Sequence, residues 1–235
     1  MNALRFSMSE SNPRLAIVDD DRSAAIAAGW DVERAGYDPF IVEGPYQNVN
    51  TLVEHIMQNA QGALCDHRLT HRGFARFSGA LLVASLIDKG LPAILVTQYK
   101  EIDTDVSIRK WRHKIPILLS RDETNASTIR AGMAACLSEL NGDVPISRRA
   151  HRVLLRITDI SEESEEKVVD VIIPSWNPQR AVRFPASLVP EELQDDLRQD
   201  VRLFALVNIG AETSDELYFQ QFELASEPDE DDGLA

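Results

Sequence analysis

Short apolar runs alternate with longer amphipathic segments over the first 140 residues of the chain. The apolar runs have the length of buried strands, and the segments between them repeat their apolar positions at helical spacing. This alternation predicts five strands, each followed by a helix. The predicted strands are Leu15–Val18, Phe40–Val42, the run that ends at Asp66, Pro92–Thr97 and Ile115–Leu119.

The helices are predicted at Ser23–Arg34, from Asn48 or Asn50 onward, at Gly79–Lys89, at about Asp103–Trp111 and at Ser127–Leu140. Ser23 is a suitable N-cap for the first of them. Strands that alternate with helices over short connections require parallel crossovers, and near-continuously apolar strands fit a sheet covered on both faces. The pattern therefore predicts an α/β domain, residues 1–143, with a doubly wound five-stranded parallel sheet.

The pattern changes after a predicted linker at residues 144–152. Residues 153–226 contain short runs rich in β-branched and aromatic residues, broken by prolines and Gly210, with one short helix at Glu191–Arg198. These features predict a small, mainly antiparallel β domain, either a sandwich or a partly open barrel. The strands are predicted at Val153–Ile157, Val168–Ile173, Ala181–Phe184, Val201–Val207 and Leu217–Phe222. Residues 227–235 are predicted to be a disordered acidic tail.

Charge is divided unevenly between the two halves. Residues 1–150 hold 17 Lys and Arg against 18 Asp and Glu, which leaves −1, whereas residues 151–235 hold 7 against 20, which leaves −13. A segment with that charge would be repelled by a phosphate backbone, so we expect no nucleic-acid partner. The basic run Arg109–Lys114 is either a hydrated helix face or a docking site for the acidic half.

Nothing in the sequence indicates insertion into a membrane. No apolar run reaches the length that a bilayer requires, and Met1–Pro13 lacks the apolar core of a secretory signal. Cys65 and Cys136 lie in apolar patterns far apart and are predicted to be buried thiols rather than a disulfide. These observations favour a cytoplasmic protein.

Polar side chains follow three of the predicted parallel strands. Asp19–Asp21 come after the first strand, Asp66 ends the third, and Thr97 ends the fourth. The carboxyl ends of strands in an open α/β sheet are where ligands and chemistry collect. We therefore expect these side chains to form one acidic pocket. An acidic triplet can also act only as a favourable helix N-terminus, and a single threonine can be an ordinary loop hydroxyl.

In the order, spacing and type of these residues, residues 14 to about 141 resemble a response-regulator receiver domain. The paired acids match Asp19 and Asp20, the phosphoacceptor matches Asp66, and the switch hydroxyl matches Thr97. The resemblance implies a receiver/flavodoxin-like fold. It also implies that a histidine kinase or phosphotransfer protein donates a phosphoryl group to Asp66, so the chain would be a phosphoacceptor regulator rather than a turnover enzyme.

The same resemblance implies a bound Mg²⁺. Its ligands would be Asp20, with Asp19, Asp66 and the backbone carbonyl of Arg68, because Mg²⁺ prefers hard oxygen ligands. The cation would screen the charges of the attacking carboxylate and the phosphoryl group. Thr97 would then bind a phosphoryl oxygen, and Tyr99 lies near the region that would respond to it.

One residue of the receiver pattern is missing. Receiver domains have a lysine after the fifth strand, usually before a proline, whereas this chain has Ser120 and Arg121. Arg121 could supply the cation from one position further along. The loop Thr70–Phe77 is also longer than receivers usually have, and it is rich in arginine and histidine.

Alternatives to a phosphorylated regulator remain open. A degenerate receiver would act as a constitutive interaction scaffold, and the serine at the lysine position motivates that hypothesis. A haloacid-dehalogenase-like phosphatase would use Asp19 as its nucleophile and Thr97 in its second motif, but it leaves Asp66 without a role. Because the β domain lacks a recognition helix, we expect output through contact with an unidentified protein. The sequence also leaves a homodimer open.

Overall fold

The computed structural model describes residues 12–100, 104–163 and 166–226. The chain divides into two compact units that do not follow one another along the sequence. The described residues up to Thr97, together with Ile117–Leu137, form the first unit, whereas Gln98–Pro116 groups with Ser138 and the residues after it in the second unit. The predicted acidic tail, 227–235, and the first eleven residues lie outside the described residues.

The first unit contains the predicted parallel sheet. Its strands are β1 (Arg14–Val18), β2 (Asp38–Ile41), β3 (Gly62–Asp66), β4 (Ala93–Thr97) and β5 (Ile117–Ser120). They lie in the order β2-β1-β3-β4-β5, and every neighbouring pair is parallel. This confirms the predicted doubly wound fold.

Among the described residues, four α-helices alternate with these strands along the chain. They are α1 (Arg22–Arg34), α2 (Val49–Asn59), α3 (Gly79–Asp88) and α4 (Ala126–Leu140). The N-cap of α1 is Asp21, not Ser23, because the Asp21 carboxylate accepts the backbone N–H groups of Ser23 and Ala24. These N–H groups, that of Ser23 foremost, also lower the pKa of Asp21. Asn48 caps α2 as predicted.

Both faces of the sheet are covered. On one face, α1 and α4 pack on the sheet, and their buried side chains Val32 and Met133 join Leu15, Ile17 and Ile94 in one apolar core. Contacts between α2 and α3 and from each to the strands cover the other face. Because both faces are buried, the strands can be almost entirely apolar, which is the pattern seen in the sequence. Cys65 and Cys136 are both buried free thiols, as predicted.

The segment after β4 differs from the prediction. The sequence pattern predicted a regular helix at about Asp103–Trp111, but the described part holds a single π-helical turn at Thr104–Ile108 and a 3₁₀ turn at Arg112–Lys114. Of its basic side chains, Arg109 is fully buried. A regular hydrated helix face is therefore the wrong reading of this run.

The second unit contains one antiparallel sheet. Its strands are β6 (His151–Glu163), β7 (Glu166–Ile173), β8 (Asn177–Pro185), β9 (Arg202–Val207) and β10 (Phe219–Leu224), with a short helix α5 (Glu191–Gln194) between β8 and β9. The order is β10-β9-β6-β7-β8. Phe184 of β8 nevertheless packs on Phe219 and Phe222 of β10, with ring centroids 4.9 and 5.3 Å away. Side chains from the two edge strands therefore pack on one another, so the sheet is curled, as in a partly open barrel rather than a sandwich.

The basic run after β4 is built into this second unit. The Arg109 guanidinium donates to the carbonyls of Ser214 and Leu217 at 2.7 Å each, and Arg112 donates to the carbonyl of Asp215 at 3.1 Å. Lys110 forms an ion pair with Glu166 at 2.6 Å. Docking of the basic run on the acidic half, the second sequence interpretation, is therefore confirmed. Within the described residues we find no helix with the length and apolarity that crossing a bilayer demands.

Candidate functional site

The parallel register brings four polar strand ends to one edge of the first sheet. Asp66, at the end of β3, pairs with Val96, and Thr97, at the end of β4, pairs with Ser120 at the end of β5. Asp19 directly follows β1, which neighbours β3. The candidate site residues of three separate sequence segments therefore lie at adjacent strand ends, as the alternating pattern predicted.

Three carboxylates converge at this edge. One oxygen from each of Asp19, Asp20 and Asp66 lies within 4.8 Å of the others. Asp66 is 8% exposed and Thr97 is 1% exposed, whereas Asp19 and Asp20 are partly exposed. We refer to these three aspartates as the acid cluster.

Main-chain N–H groups hold two of the three carboxylates. Asp19 Oδ1 accepts the N–H of Asp21 at 2.8 Å, and Asp66 Oδ2 accepts the N–H of Arg68 at 2.8 Å. Each bond spans two residues, which is the local turn that aspartate side chains favour after a strand. The acids are thus oriented by the backbone immediately downstream of them.

Arg121 supplies the cation of the site. Its backbone N–H donates to the carbonyl of Thr97 at 3.0 Å, which holds the residue beside the end of β4. Its Nη2 atom then bridges Asp19 Oδ2 at 3.0 Å and Asp66 Oδ1 at 2.5 Å. The position one residue beyond the usual lysine, which the sequence suggested for a displaced cation, therefore carries a guanidinium that contacts two acids of the cluster.

Ser120, at the usual lysine position, has a local structural role. Its backbone N–H donates to Glu123 Oε2 at 2.7 Å, and its Oγ accepts the Glu123 N–H at 3.2 Å. The hydroxyl of Thr124 donates to the Ser120 carbonyl at 2.9 Å. These bonds turn the chain sharply after β5 toward α4.

Burial changes the proton affinity of Asp19, one member of the acid cluster. Burial and, to a smaller extent, the negative charge of Asp66 raise the pKa of Asp19 to about 6, although the N–H of Asp21 and the guanidinium of Arg121 oppose the rise. Loss of hydration is thus the main cost of ionising Asp19. An additional positive charge beside Asp19, whether a proton or a metal ion, would offset that cost.

The close approach of α3 to Asp66 is a feature that sequence analysis missed. A Cβ atom on Gly79 would lie 1.8 Å from the carbonyl oxygen of Asp66, and the Gly79 N–H donates to the His67 carbonyl at 2.9 Å. Only glycine lets the first turn of α3 lie against the end of β3 in this way. The glycine after the long loop was visible in the sequence, but its partner was not.

A cavity of about 330 Å³ opens beside the acid cluster. Asp19, Asp66 and Arg121 line it together with small residues of α1 and the apolar side chains Ile17 and Leu64 of the sheet. Asp66, although paired with Arg121, therefore borders open space and is not sealed in the interior.

The remaining predicted residues lie at the margin of the site. Arg68 contributes its backbone N–H to Asp66, as described above. Tyr99 lies two residues beyond Thr97 in the segment that groups with the second unit, and its side chain is 43% exposed. The donor set of three converging carboxylates fits a hard divalent cation such as Mg²⁺, because carboxylate oxygens are the ligands it prefers.

The solved structures that are similar to this chain include receiver domains. The chain is similar to a response regulator receiver domain from Clostridium thermocellum, with 11% identity, 56% of this chain and 99% of that chain covered, and a TM-score of 0.43. It is also similar to the PhyR response regulator REC domain from Erythrobacter litoralis, with 17% identity, 54% and 91% coverage, and a TM-score of 0.40. A third similar structure is the signal receiver domain of an HD domain-containing protein from Pseudomonas fluorescens Pf-5, with 12% identity, 60% and 97% coverage, and a TM-score of 0.41.

These three similarities cover between 54% and 60% of this chain. No protein-family model matches the chain. No curated protein matches it.

Proposed function

We propose that this chain is a response-regulator-like signalling protein that accepts a phosphoryl group on Asp66. The observation that carries the proposal is the convergence of the acid cluster with a guanidinium that bridges Asp19 and Asp66. A carboxylate accepts a phosphoryl group only when positive charge offsets both its own charge and that of the incoming group. Arg121 supplies such a charge.

In the proposed reaction, one carboxylate oxygen of Asp66 forms a bond to phosphorus while the bond from phosphorus to the donor imidazole nitrogen breaks. The electron pair leaves with that nitrogen, which takes a proton from solvent. Arg121 stabilises the negative charge that gathers on the phosphoryl oxygens. The Thr97 hydroxyl, at the neighbouring strand end, donates to one of those oxygens once they arrive.

A divalent cation belongs to this proposal. Asp19, Asp20, Asp66 and the carbonyl of Arg68 would hold Mg²⁺, which screens charge between the acid and the phosphoryl group. Asp66 borders the cavity, so a donor side chain can approach it.

Output is proposed to pass to the second unit. The residues that immediately follow Thr97 group with that unit. Residues 151–235, which form most of it, carry a net charge of −13, which suits contact with a basic surface of another protein rather than a nucleic acid. The proposed donor is a histidine kinase or phosphotransfer protein, and the proposed compartment is the cytoplasm.

The test is incubation of the full chain with Mg²⁺ and acetyl phosphate, followed by intact-mass analysis. We expect the wild-type protein to gain the mass of one phosphoryl group and the Asp66→Asn variant to gain none. Asp88→Asn, which changes a carboxylate at the far end of α3, is the matched control and should label as wild type does.

The same experiment separates the alternatives. Labelling that survives in Asp66→Asn but is lost in Asp19→Asn would favour a phosphatase-like nucleophile at Asp19. Absence of any adduct in the wild type, under conditions that label an ordinary receiver domain, would favour the constitutive scaffold. The pairing of Arg121 with Asp66 before any phosphoryl group is present is the observation that keeps the scaffold under consideration.

A further inference from the structure

The long loop between β3 and α3 is fastened to a neighbouring loop at one end. We call Thr70–Phe77 the strap. The Tyr46 N–H donates to the Phe74 carbonyl at 2.7 Å, and the Ala75 N–H donates to the Leu69 carbonyl at 3.0 Å. A Cβ atom on Gly44 would lie 2.8 Å from Phe74 Cδ2, so the aromatic ring sits directly against the backbone there. The C-terminal half of the strap is thus anchored on the loop after β2.

The other half of the strap reaches the acid cluster. The backbone N–H of Arg72 donates to Asp20 Oδ2 at 3.1 Å, and its guanidinium forms an ion pair with Asp21 Oδ2 at 2.9 Å. Asp21 is fixed in turn because it caps α1. The Arg72 side chain therefore latches the strap to a rigid helix terminus and presents the neighbouring main-chain N–H to the Asp20 carboxylate.

We propose that the strap positions Asp20 as a ligand for a divalent cation, with Arg72 as its latch. The inference rests on the proposed function, because it assigns a role toward the same metal site. Asp19 and Asp66 are held by adjacent backbone and by Arg121, whereas Asp20 is held across 52 residues of sequence by the strap. Carboxylates that ligate metals are oriented by hydrogen bonds of this kind, and losing such a bond costs about 10- to 100-fold in metal affinity.

The positive charge of Arg72 lets an experiment distinguish a positioning role from simple electrostatic repulsion of the cation. A guanidinium close to a metal site repels the cation, so simple electrostatics says that its removal strengthens Mg²⁺ binding. The positioning role says the opposite, because removal of the latch lets the strap and its N–H group move away from Asp20. The sign of the change in affinity therefore separates the two effects.

The experiment measures Mg²⁺ affinity of the full chain by isothermal titration calorimetry, without any phosphodonor. We expect Arg72→Ala to weaken binding by roughly three- to tenfold, the low end of the second-shell range because the backbone N–H remains. Arg72→Lys keeps a cation at the latch and should recover most of the affinity. Arg76→Ala removes the same charge from the same loop and is the matched control, expected at or slightly above wild-type affinity.

A second variant tests the anchored end. Phe74→Ala leaves every charge in place but removes the ring that seats the strap on Gly44, and we expect it to weaken Mg²⁺ binding in the same direction as Arg72→Ala. If the wild-type chain binds Mg²⁺ and both variants bind it as tightly or more tightly, the role of the strap is wrong, but the metal in the proposed function is not. No Mg²⁺ binding by the wild-type chain would overturn both this inference and the metal in the proposed function.

Discussion

Arg121 in the first unit and Arg109 in the second are both held by oxygen atoms, but the oxygens differ in charge. Arg121 bridges two carboxylates and keeps 37% of its side chain exposed. Arg109 is completely buried, donates to two main-chain carbonyls and lies 5.9 Å from the centre of the Phe219 ring. An arginine that is paired with carboxylates can exchange one of them for another anion. An arginine that is hydrogen-bonded to buried main-chain carbonyls instead stabilises the fold.

The largest expected effect is the loss of the Arg109 contacts. Arg109→Met keeps most of the side-chain volume but removes the side-chain donor of the Leu217 carbonyl and leaves the Ser214 carbonyl only the 3.3 Å bond from the Leu217 N–H, at about 1–3 kcal/mol for each buried group. We expect the free energy of unfolding of the second unit to fall by about 4 kcal/mol. Urea denaturation in a Trp30→Phe background, followed by tryptophan fluorescence, measures it, since Trp111 and Trp176 both lie in that unit.

The matched control for this variant is Lys110→Met, which removes a partly exposed ion pair from the same segment. Its cost should stay below about 1 kcal/mol. Equal effects of the two substitutions would contradict the structural role assigned to Arg109.

The second-largest expected effect is the change with pH in the free energy of unfolding of the metal-free protein, to which Asp19 contributes. Asp19 has a pKa of about 6 in the folded protein against an ordinary value of 3.8, so the folded state binds its proton more tightly than the unfolded state does. Its contribution to stability is therefore present below about pH 4 and is lost as the pH rises through 6, at most about 3 kcal/mol. Urea unfolding in EDTA should show a fall from pH 4 to pH 7 that is smaller in Asp19→Asn.

Asp38→Asn, an exposed carboxylate paired with Arg14, is the control and should keep the wild-type slope. Added Mg²⁺ should reduce the fall in wild type, because a bound cation stabilises the ionised acids. An identical pH slope in wild type and Asp19→Asn would contradict the raised pKa of Asp19 in the folded protein.

The smallest effect on stability, with the largest effect on chemistry, is expected at Arg121. Arg121 is partly exposed but pairs with the largely buried carboxylates of Asp19 and Asp66, so Arg121→Met should cost about 2 kcal/mol of unfolding free energy. Labelling of Asp66 by acetyl phosphate should nevertheless slow by about tenfold or more, since the guanidinium stabilises charge at the phosphoryl group. Arg121→Lys should restore part of the rate.

Arg130→Met is the matched control in the same unit, because Arg130 also donates to main-chain carbonyls, those of Arg34 and Ala35. It should label at the wild-type rate. If Arg121→Met lost much stability but was labelled at the wild-type rate, Arg121 would have the structural role that is assigned here to Arg109.

The sequence predicted the regular part of the fold because local pattern determines it. The apolar runs that end at Asp66 and Thr97 are the buried strands β3 and β4, and their polar ends meet because parallel strands share one edge. Arg121 was visible as a displaced cation, but that its guanidinium turns back to Asp19 and Asp66 depends on the bond between its N–H and the Thr97 carbonyl. Such a bond has no local signature.

The sequence failed where distant parts of the chain decide the outcome. The periodicity of Asp103–Trp111 predicted a helix, but Arg109 and Arg112 bind carbonyls more than a hundred residues away. Burial of two guanidinium groups on those carbonyls outweighs a weak helical preference. In the same way, the sequence showed only the length and the basic side chains of the strap, because its partners, Tyr46 and Asp20, lie in other segments.

Because Gln98–Pro116 belongs to the second unit and Ile117–Leu137 to the first, a single cut in the chain cannot separate the two units. A break at any single peptide bond between residues 117 and 150 separates Arg109 from the carbonyls of Ser214 and Leu217 that receive it. Neither half can then be produced as a self-sufficient fragment by ordinary truncation. Expression of the full chain keeps Ile117–Leu137 with the first unit and Gln98–Pro116 with the second.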